Sequence, residues 1–310
     1  MKVSELVNNT IPHREYCIYS NKIMSSNSLI GVEIELEQVE YYQNDISYPY
    51  IFEYWKTAED GSLRLGTEFI LKRPLCSLDL IKSLDVFKSF IKMYKKGNSF
   101  ARVTDRCSVH IHYDVRNKEF NDIVNVILVY ILLEKVIFKF VDPLRFKNNY
   151  CRPLCESTFI NIASELVNSD SLRTLLRIVN INCDKYSAMN LLPISTMGSI
   201  EFRHHHGTKD INDIIKWICV VMEVMEAPDI NYLLSLSNID IFEKVFKVSK
   251  NQTLISDYVL DNLLNKGRND VNFIMSRDSL LKDSLSLSSK IKSNINLLEE
   301  WKLNNQEGIA

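Results

Sequence analysis

The feature that most constrains this chain is a set of short segments in which apolar and charged side chains alternate. Residues 29–39 alternate, with Gly-Val-Glu-Ile-Glu-Leu-Glu at 31–37, and residues 108–115 repeat the pattern with His110 and His112 in place of acids. Because successive side chains of a β-strand point to opposite faces, this alternation predicts strands with one buried and one polar face. Residues 199–206 predict a third such strand, with polar side chains at alternate positions.

A fourth segment adds another acid to this set. Residues 60–61 predict a tight turn that leads into a strand over residues 63–71, although Ile70 shares the face of Glu68. Each segment alone is also explained by a sheet with one solvated face, or by a surface Glu–Arg pair in the third strand. Four strands with acids, imidazoles or arginine on one face favour a common site.

The residue types on these polar faces indicate a metal-dependent active site. Carboxylate oxygens with one or two imidazoles suit Mg²⁺ or Mn²⁺ better than a structural zinc ion. The guanidinium of Arg203 offers a rigid fork of donors that matches a carboxylate or a phosphate group. This combination is typical of nucleotide-dependent phosphoryl transfer. The expected site comprises Glu33, Glu35, Glu68, His110, His112, Glu201 and Arg203.

Composition excludes several other classes of protein. A formal net charge of -2 argues against a broad basic surface for nucleic acid. The most apolar stretch, residues 123–133, is short and contains Asn125, so it predicts a buried helix and no membrane span. Seven scattered cysteines do not form a disulfide framework, and residues 1–10 show no secretory signal. We therefore expect a cytoplasmic protein, and the sequence leaves its oligomeric state open.

The remaining patterns predict an α+β fold. Ser77 is expected to cap a helix over residues 77–94, and Asp210 a helix that ends near residue 227. Residues 41–58 are aromatic-rich and predicted to be irregular. The other expected elements are a helix over residues 117–142, two short helices between 155 and 180, a strand over 188–193 and a helix over 285–303. We expect a catalytic domain over residues 1–228 and a helical C-terminal region over residues 229–310.

Five short motifs, in this order, resemble the amidoligase family, which is related to glutamine synthetase and glutamate–cysteine ligase. The resemblance covers roughly residues 29–227. It implies a curved antiparallel sheet of the glutamine synthetase type with packing helices, whose concave face holds ATP and two divalent metals, Mg²⁺ or Mn²⁺. The motifs are residues 31–35, residues 60–62 with Glu68, residues 109–112, residues 190–191, and residues 200–203 followed by Gly207-Thr208.

The resemblance also implies a reaction. ATP would activate a carboxylate as an acyl phosphate, and an amine would then attack it to form an amide or isopeptide bond. Arg203 would bind the substrate carboxylate or the transferred phosphoryl group, with Glu68 and Glu201 beside it in catalysis. The carboxylate could belong to an amino acid, a peptide or a protein. The metal ligands would be Glu33, Glu35, Glu68, Glu201 and one of His110 or His112.

One departure from the family pattern affects the nucleotide contacts. An arginine is expected shortly before Asn190-Leu191, but the nearest basic residue is Lys185, which cannot make the same bidentate contact. Arg152 is a second candidate cation. The residues expected to contact ATP are therefore Arg152, Lys185, His112 and Asn190. Two alternatives stay open, namely an ATP-dependent phosphotransferase on the same fold and a non-catalytic binding protein derived from it.

The three consecutive histidines and the cysteines carry weaker signals. By alternation His205 shares a face with Glu201, so it could line the site, whereas His204 and His206 are expected to be packed or near a turn. Cys151 lies four residues before a second cysteine, but no further pair completes a zinc site, and a buried thiol is the better interpretation.

Overall fold

The computed structural model describes residues 27–39, 50–94, 101–138, 140–154, 171–236 and 244–245. In this part of the chain, six strands form a single sheet in which every neighbouring pair is antiparallel. The strands are β1 (Ile30–Glu37), β2 (Trp55–Ala58), β3 (Gly66–Leu71), β4 (Ser108–Asp114), β5 (Met189–Asn190) and β6 (Ser199–His206). Their order across the sheet is β2-β3-β1-β4-β6-β5.

Helices pack against this sheet and confirm the α+β class. The described helices are α1 (Ile51–Tyr54), α2 (Ser77–Met93), α3 (Phe120–Ile137), α4 (Leu172–Asn182), α5 (Pro193–Thr196), α6 (Ile211–Met225) and α7 (Ile230–Leu234), with a 3₁₀ helix at Pro143–Lys147. No described helix has both the length and the apolar character needed to cross a lipid bilayer.

The apolar sides of the strands form the core under α2, α3 and α6. Phe69 of β3 has its ring centroid 5.4 Å from that of Phe87 in α2, and Tyr130 of α3 lies 6.0 Å from Phe202 of β6. Trp217 of α6 is fully buried. Removing these large rings from water supplies about 2 kcal/mol or more per side chain, so the sheet has one face that must be covered.

The strand register brings the polar side chains together on the opposite face. Glu33 of β1 pairs with His110 of β4, and Glu35 pairs with Glu68 of β3. His112 pairs with Glu201 of β6. Directly opposed residues on one face of a sheet have side chains within contact distance. The sheet thus aligns acids and imidazoles from four strands without any loop being needed.

A β-bulge interrupts the pairing of β4 with β6. Ile111 pairs with Phe202, whereas Val109 pairs with His205, so β6 contributes one more residue than β4 between these two points. The two residues inside this interval are Arg203 and His204. A bulge bends its strand and re-aims the side chains that follow it. The alternation of β6 is therefore not continuous across its length.

Several predicted boundaries differ from the structure. The strand that carries Glu68 begins at Gly66 rather than residue 63, because Leu63 and Leu65 lie in the preceding turn. The prediction of irregular structure was wrong for residues 51–58, which form α1 and β2, while residues 41–49 lie outside the described part of the chain. The predicted strand at 188–193 is limited to β5, because Pro193 has no amide proton for a ladder and begins α5 instead.

The helix predictions hold in position but not at every end. Asp210 caps α6 as predicted, since its side chain accepts from the amide of Asn212. Cys76 occupies the cap position of α2 that we assigned to Ser77. Helix α3 spans Phe120–Ile137 rather than residues 117–142, and Asp142 instead caps the 3₁₀ helix that follows.

The C-terminal region is described only in its first part. Helix α7 is joined to α3 by Asn125, whose side chain accepts from the amide of Ile230 at 2.7 Å. Two short helices were predicted between residues 155 and 180. Helix α4 lies close to the second of them, and residues 155–170 lie outside the described part. The predicted helix over 285–303 also lies outside it, and the division at residue 228 and the curvature of the sheet stay predictions.

Candidate active site

His110 lies at the centre of the polar face, because β4 is flanked by β1 and β6. The His110 side chain is only 3% exposed. Its Nδ1 atom lies 3.0 Å from Oε2 of Glu33 and 3.4 Å from Oε1 of Glu201. Its Nε2 atom lies 3.7 Å from Oε1 of Glu35. One ring therefore contacts carboxylates from two neighbouring strands, using both of its nitrogens.

Two groups of potential metal ligands share this ring. Glu33, His110 and Glu201 form one group, and Glu35, Glu68 and His110 form the other, with the ligand atoms of each group within 4.8 Å of one another. Hard divalent cations prefer carboxylate oxygens, and an imidazole nitrogen is compatible with Mn²⁺ in particular. The residue types and their convergence fit the metal site that the sequence led us to expect.

The electrostatics of this cluster favour a cation. Burial, together with the nearby carboxylates of Glu33 and Glu35, raises the pKa of Glu68 to about 9. Burial also acts to raise the pKa of Glu33, but hydrogen bonds with His110 and His112 outweigh it and hold that pKa well below its usual range. Carboxylates this close disfavour one another's charge unless a cation or proton lies between them.

His112 occupies a separate position beside the cluster. Its Nε2 atom lies 3.2 Å from Oε1 of Glu33, and its Nδ1 atom lies 3.2 Å from Oγ of Ser199. Burial lowers the pKa of His112, but the neighbouring Glu33 carboxylate outweighs this and raises it overall. In contrast to His110, His112 belongs to neither ligand group found among the described residues.

Two serines support the cluster and were not singled out from the sequence. Ser108 donates to Oε2 of Glu35 through its amide at 2.8 Å and its hydroxyl at 2.6 Å, and its hydroxyl also lies 2.7 Å from Nε2 of His110. Ser199 contacts His112 as described above. Alternation places Ser108 on the face of His110, so parity along the strand was the signal that could have identified it.

Glu201 is held by residues on both sides. Asn190 of β5 donates to its Oε2 atom at 2.7 Å, and a terminal guanidinium nitrogen of Arg203 donates to its Oε1 atom. Arg203 also donates from Nε to the carbonyl of Tyr150 at 3.3 Å. Asn190, which we expected to contact nucleotide, thus orients Glu201 in this structure. The arrangement fixes both the acid and the guanidinium at the edge of the cluster.

Arg152 and Lys185 lie at the rim rather than in the cluster. The Arg152 guanidinium is paired with Asp184, and both side chains are about half exposed, at 52% and 47%. The Lys185 ammonium lies 4.8 Å from the ring of Tyr186. The backbone connects this rim to the site, since Arg203 donates its amide to Ala188 and Ala188 donates to the carbonyl of Arg152.

The bulge in β6 explains where the consecutive histidines lie. His205 is fully buried, and its ring contacts Trp217 at 5.6 Å and stacks on His206 at 4.4 Å. The expectation that it lines the site was wrong, because alternation does not continue through the bulge. His204 is buried in the core, as expected. Cys151 is also fully buried, and burial raises its thiol pKa to about 11, which agrees with an unreactive thiol.

Comparison with known families identifies the family of the chain. The family model described as "Putative amidoligase enzyme" matches residues 71–225, which is half of the chain, and the chain belongs to this family. The match includes β4, which carries both imidazoles, and β6, which carries Arg203. Glu33, Glu35 and Glu68 lie before the matched range. Membership supports a ligase-type enzyme. A search of curated proteins gave no match.

Proposed function

We propose that this protein is an ATP-dependent carboxylate–amine ligase that forms an amide or isopeptide bond. The observation that carries the proposal is the pair of acidic ligand groups that share His110, with the Arg203 guanidinium bound to Glu201 at their edge. A cation-binding cluster beside a fixed arginine suits the transfer of a phosphoryl group. Membership of an amidoligase family supports the choice of amide formation over other phosphoryl transfers.

The metal ligands in this proposal are the members of the two groups. They are Glu33, Glu35, Glu68, His110 and Glu201, and His112 orients Glu33 from the side. Divalent metal bound there, Mg²⁺ or Mn²⁺, would neutralise the charge of the ATP polyphosphate. The chain itself supplies a prearranged set of oxygen atoms that need no reorganisation, because the strand ladder fixes their backbone and Ser108 fixes Glu35.

The proposed reaction has two displacement steps. In the first, a substrate carboxylate oxygen forms a bond to the γ-phosphorus of ATP, the bond to the β-phosphate oxygen breaks, and ADP leaves. In the second, an amine nitrogen bonds to the acyl carbon, the carbon–oxygen bond to phosphate breaks, and the amine loses one proton. The guanidinium of Arg203 stabilises the negative charge of the carboxylate or the moving phosphoryl group in the first step.

The cations at the rim have a supporting role in this proposal. Arg152 offers the forked guanidinium that Lys185 lacks, and both cations lie near the ring of Tyr186, Arg152 at 5.9 Å and Lys185 at 4.8 Å from its centroid. Both are exposed enough to contact the phosphates of an incoming nucleotide. Asn190 acts through Glu201, because its amide donates to that carboxylate.

The test is a product search by mass spectrometry. The full chain is incubated with ATP, Mg²⁺, a panel of amino-acid and peptide carboxylates, and amines. A product lighter by one water than the summed carboxylate and amine supports the ligase. ADP with a stable phosphorylated product and no amide would show a phosphotransferase instead. No binding of ATP or metal by the folded protein would refute both enzymatic functions.

Two substitutions in β1 test whether ATP turnover depends on the carboxylate cluster. Glu35→Ala removes a carboxylate from the second ligand group, and we expect ATP turnover to fall by about a hundredfold or more, since even outer contacts of metal ligands are worth that much. Glu37→Gln is the matched control, because Glu37 lies on the same face of the same strand but accepts from the amide of Arg64 and belongs to neither group. Equal turnover in the two variants would place the active site elsewhere.

A further inference from the structure

Arg145 is a buried cation that the proposed reaction does not use. It lies in the 3₁₀ helix and is only 4% exposed. Its Nη2 atom donates to the carbonyl of Arg203 at 2.7 Å, and its Nε atom donates to the carbonyl of His204 at 3.1 Å. Within the described ranges it has no carboxylate within salt-bridge distance. Keeping a charge buried in this way is costly, so its contacts with β6 need an explanation.

The two carbonyls that it binds lie inside the β-bulge. There the register of β4 with β6 shifts, between the pairs Ile111–Phe202 and Val109–His205. An unpaired carbonyl in a buried strand costs free energy comparable to a lost hydrogen bond. The guanidinium of Arg145 gives these two carbonyls donors from one planar group, and it thereby fixes the conformation of the bulge.

The same segment also holds the Arg203 side chain. Arg145 accepts from the amide of Asn148 at 3.1 Å, and Asn148 accepts through its side chain from the amide of Tyr150 at 2.8 Å. The carbonyl of Tyr150 in turn accepts from Nε of Arg203 at 3.3 Å. Residues 145–150 therefore bind Arg203 twice, once through its main-chain carbonyl and once through its guanidinium.

We infer that Arg145 is a positioning residue that aims the Arg203 guanidinium along the edge of the carboxylate cluster. This inference rests on the proposed function for its effect on catalysis, but its structural part does not. Lysine at position 145 would keep the positive charge but present a single nitrogen, which cannot bridge two carbonyls as a guanidinium does. Arg145→Lys should therefore release the bulge without removing the buried charge.

Two measurements test the inference on the full chain. The first is the NMR signal of the Arg203 Nε–H group, assigned by its loss in Arg203→Lys, and we expect it to shift and to exchange faster in Arg145→Lys. The second is ATP turnover in a double-mutant cycle. Arg145→Lys should lower turnover by about a hundredfold, as expected for a misplacement of about 1 Å. It should have no further effect in the Arg203→Ala background, while Mn²⁺ binding stays unchanged.

Lys147→Arg is the matched control, because Lys147 lies in the same 3₁₀ helix and is exposed. It should leave the Arg203 signal and turnover unchanged. The inference is overturned by an Arg203 signal that does not move in Arg145→Lys, or by losses of turnover that add in the double variant. If the unmodified protein shows no ATP turnover, the proposed function fails, and the NMR measurement alone then decides whether Arg145 positions Arg203.

Discussion

The two faces of the sheet each bury a histidine, and the two rings have opposite surroundings. His110 is 2% exposed among carboxylates of β1 and β6. His204 is fully buried on the other face against the rings of Phe138 at 4.7 Å and Trp217 at 5.6 Å, with Nε2 2.8 Å from the hydroxyl of Tyr130. Burial, together with the nearby Arg145 cation, lowers the pKa of His204 to about 3.

The comparison shows that burial alone does not define a site. On the apolar face a buried histidine is neutral and packs as an aromatic ring. On the polar face the same degree of burial brings several carboxylates together, and their charges need a partner. A substitution on the apolar face should therefore change the stability of the metal-free protein. A substitution on the polar face should change what the protein binds.

The largest effect is expected for Phe69→Ala. Phe69 is fully buried against Phe87 and Phe90, with ring centroids 5.4 Å apart in both cases. The cavity left behind should lower the free energy of unfolding by about 3–5 kcal/mol. Urea unfolding of the metal-free protein measures this change. A loss below about 1 kcal/mol would mean that this face is not closely packed.

Glu68, which is next to Phe69 in β3 but lies on the polar face, should respond in the opposite way. In Glu68→Gln the repulsion from Glu33 and Glu35 is relieved, so stability in EDTA should equal or exceed that of the unmodified protein. The gain on adding Mg²⁺, about 2.7 kcal/mol at a hundred times Kd, should shrink because one ligand is lost. Thermal unfolding with and without EDTA checks both. The same Mg²⁺ gain in both proteins would exclude Glu68 as a ligand.

The third effect is a pH dependence on the apolar face. The pKa of His204 is about 3 in the folded protein and about 6.5 when unfolded, so the unfolded chain takes up a proton first as the pH falls. The folded state should therefore lose stability below pH 6.5, by about 2 kcal/mol between pH 7 and pH 5. His204→Phe removes this contribution. The prediction fails if both proteins lose the same stability over that interval.

The smallest effect is expected on the outer side of α2. Lys82 and Asp79 form an ion pair at 3.9 Å, with side chains 56% and 45% exposed. Exposed pairs of this kind contribute about 0–0.5 kcal/mol. Lys82→Met should change the free energy of unfolding by no more than that in urea titrations. A larger loss would show that this side of the helix is covered.

Local patterns were sufficient to predict the strands that carry the site. Strands β1, β4 and β6 were predicted within two residues of their ends, because alternation depends only on neighbours in the chain. The cap at Asp210 was predicted for the same reason. The start of β3 was not, because Leu63 and Leu65 continue the alternation while lying in a turn, and Leu65 has a φ of 49°.

The assembly of the site depends on pairings that a single sequence does not display. Alternation predicts that Glu35 and Glu68 lie on polar faces, but only the register of β1 with β3 shows that they are opposed. Apolar and polar side chains alternate only over residues 199–203, and the three histidines that follow have no pattern that reveals the bulge, which moved His205 away from the expected face. His110 and His112 were equivalent by spacing, and the positions of Glu201 and Glu35 distinguish them.

The hydroxyl of Ser108 places a proton on Nε2 of His110. That hydroxyl has one hydrogen, and it is donated to Glu35, so the 2.7 Å contact with Nε2 of His110 requires the ring to donate. Of the two ring nitrogens only Nδ1, which faces Glu33 and Glu201, is then left to bind a metal ion. His110 is therefore a candidate nitrogen ligand for that group alone. In the group of Glu35 and Glu68 the same ring can act only as a hydrogen-bond donor.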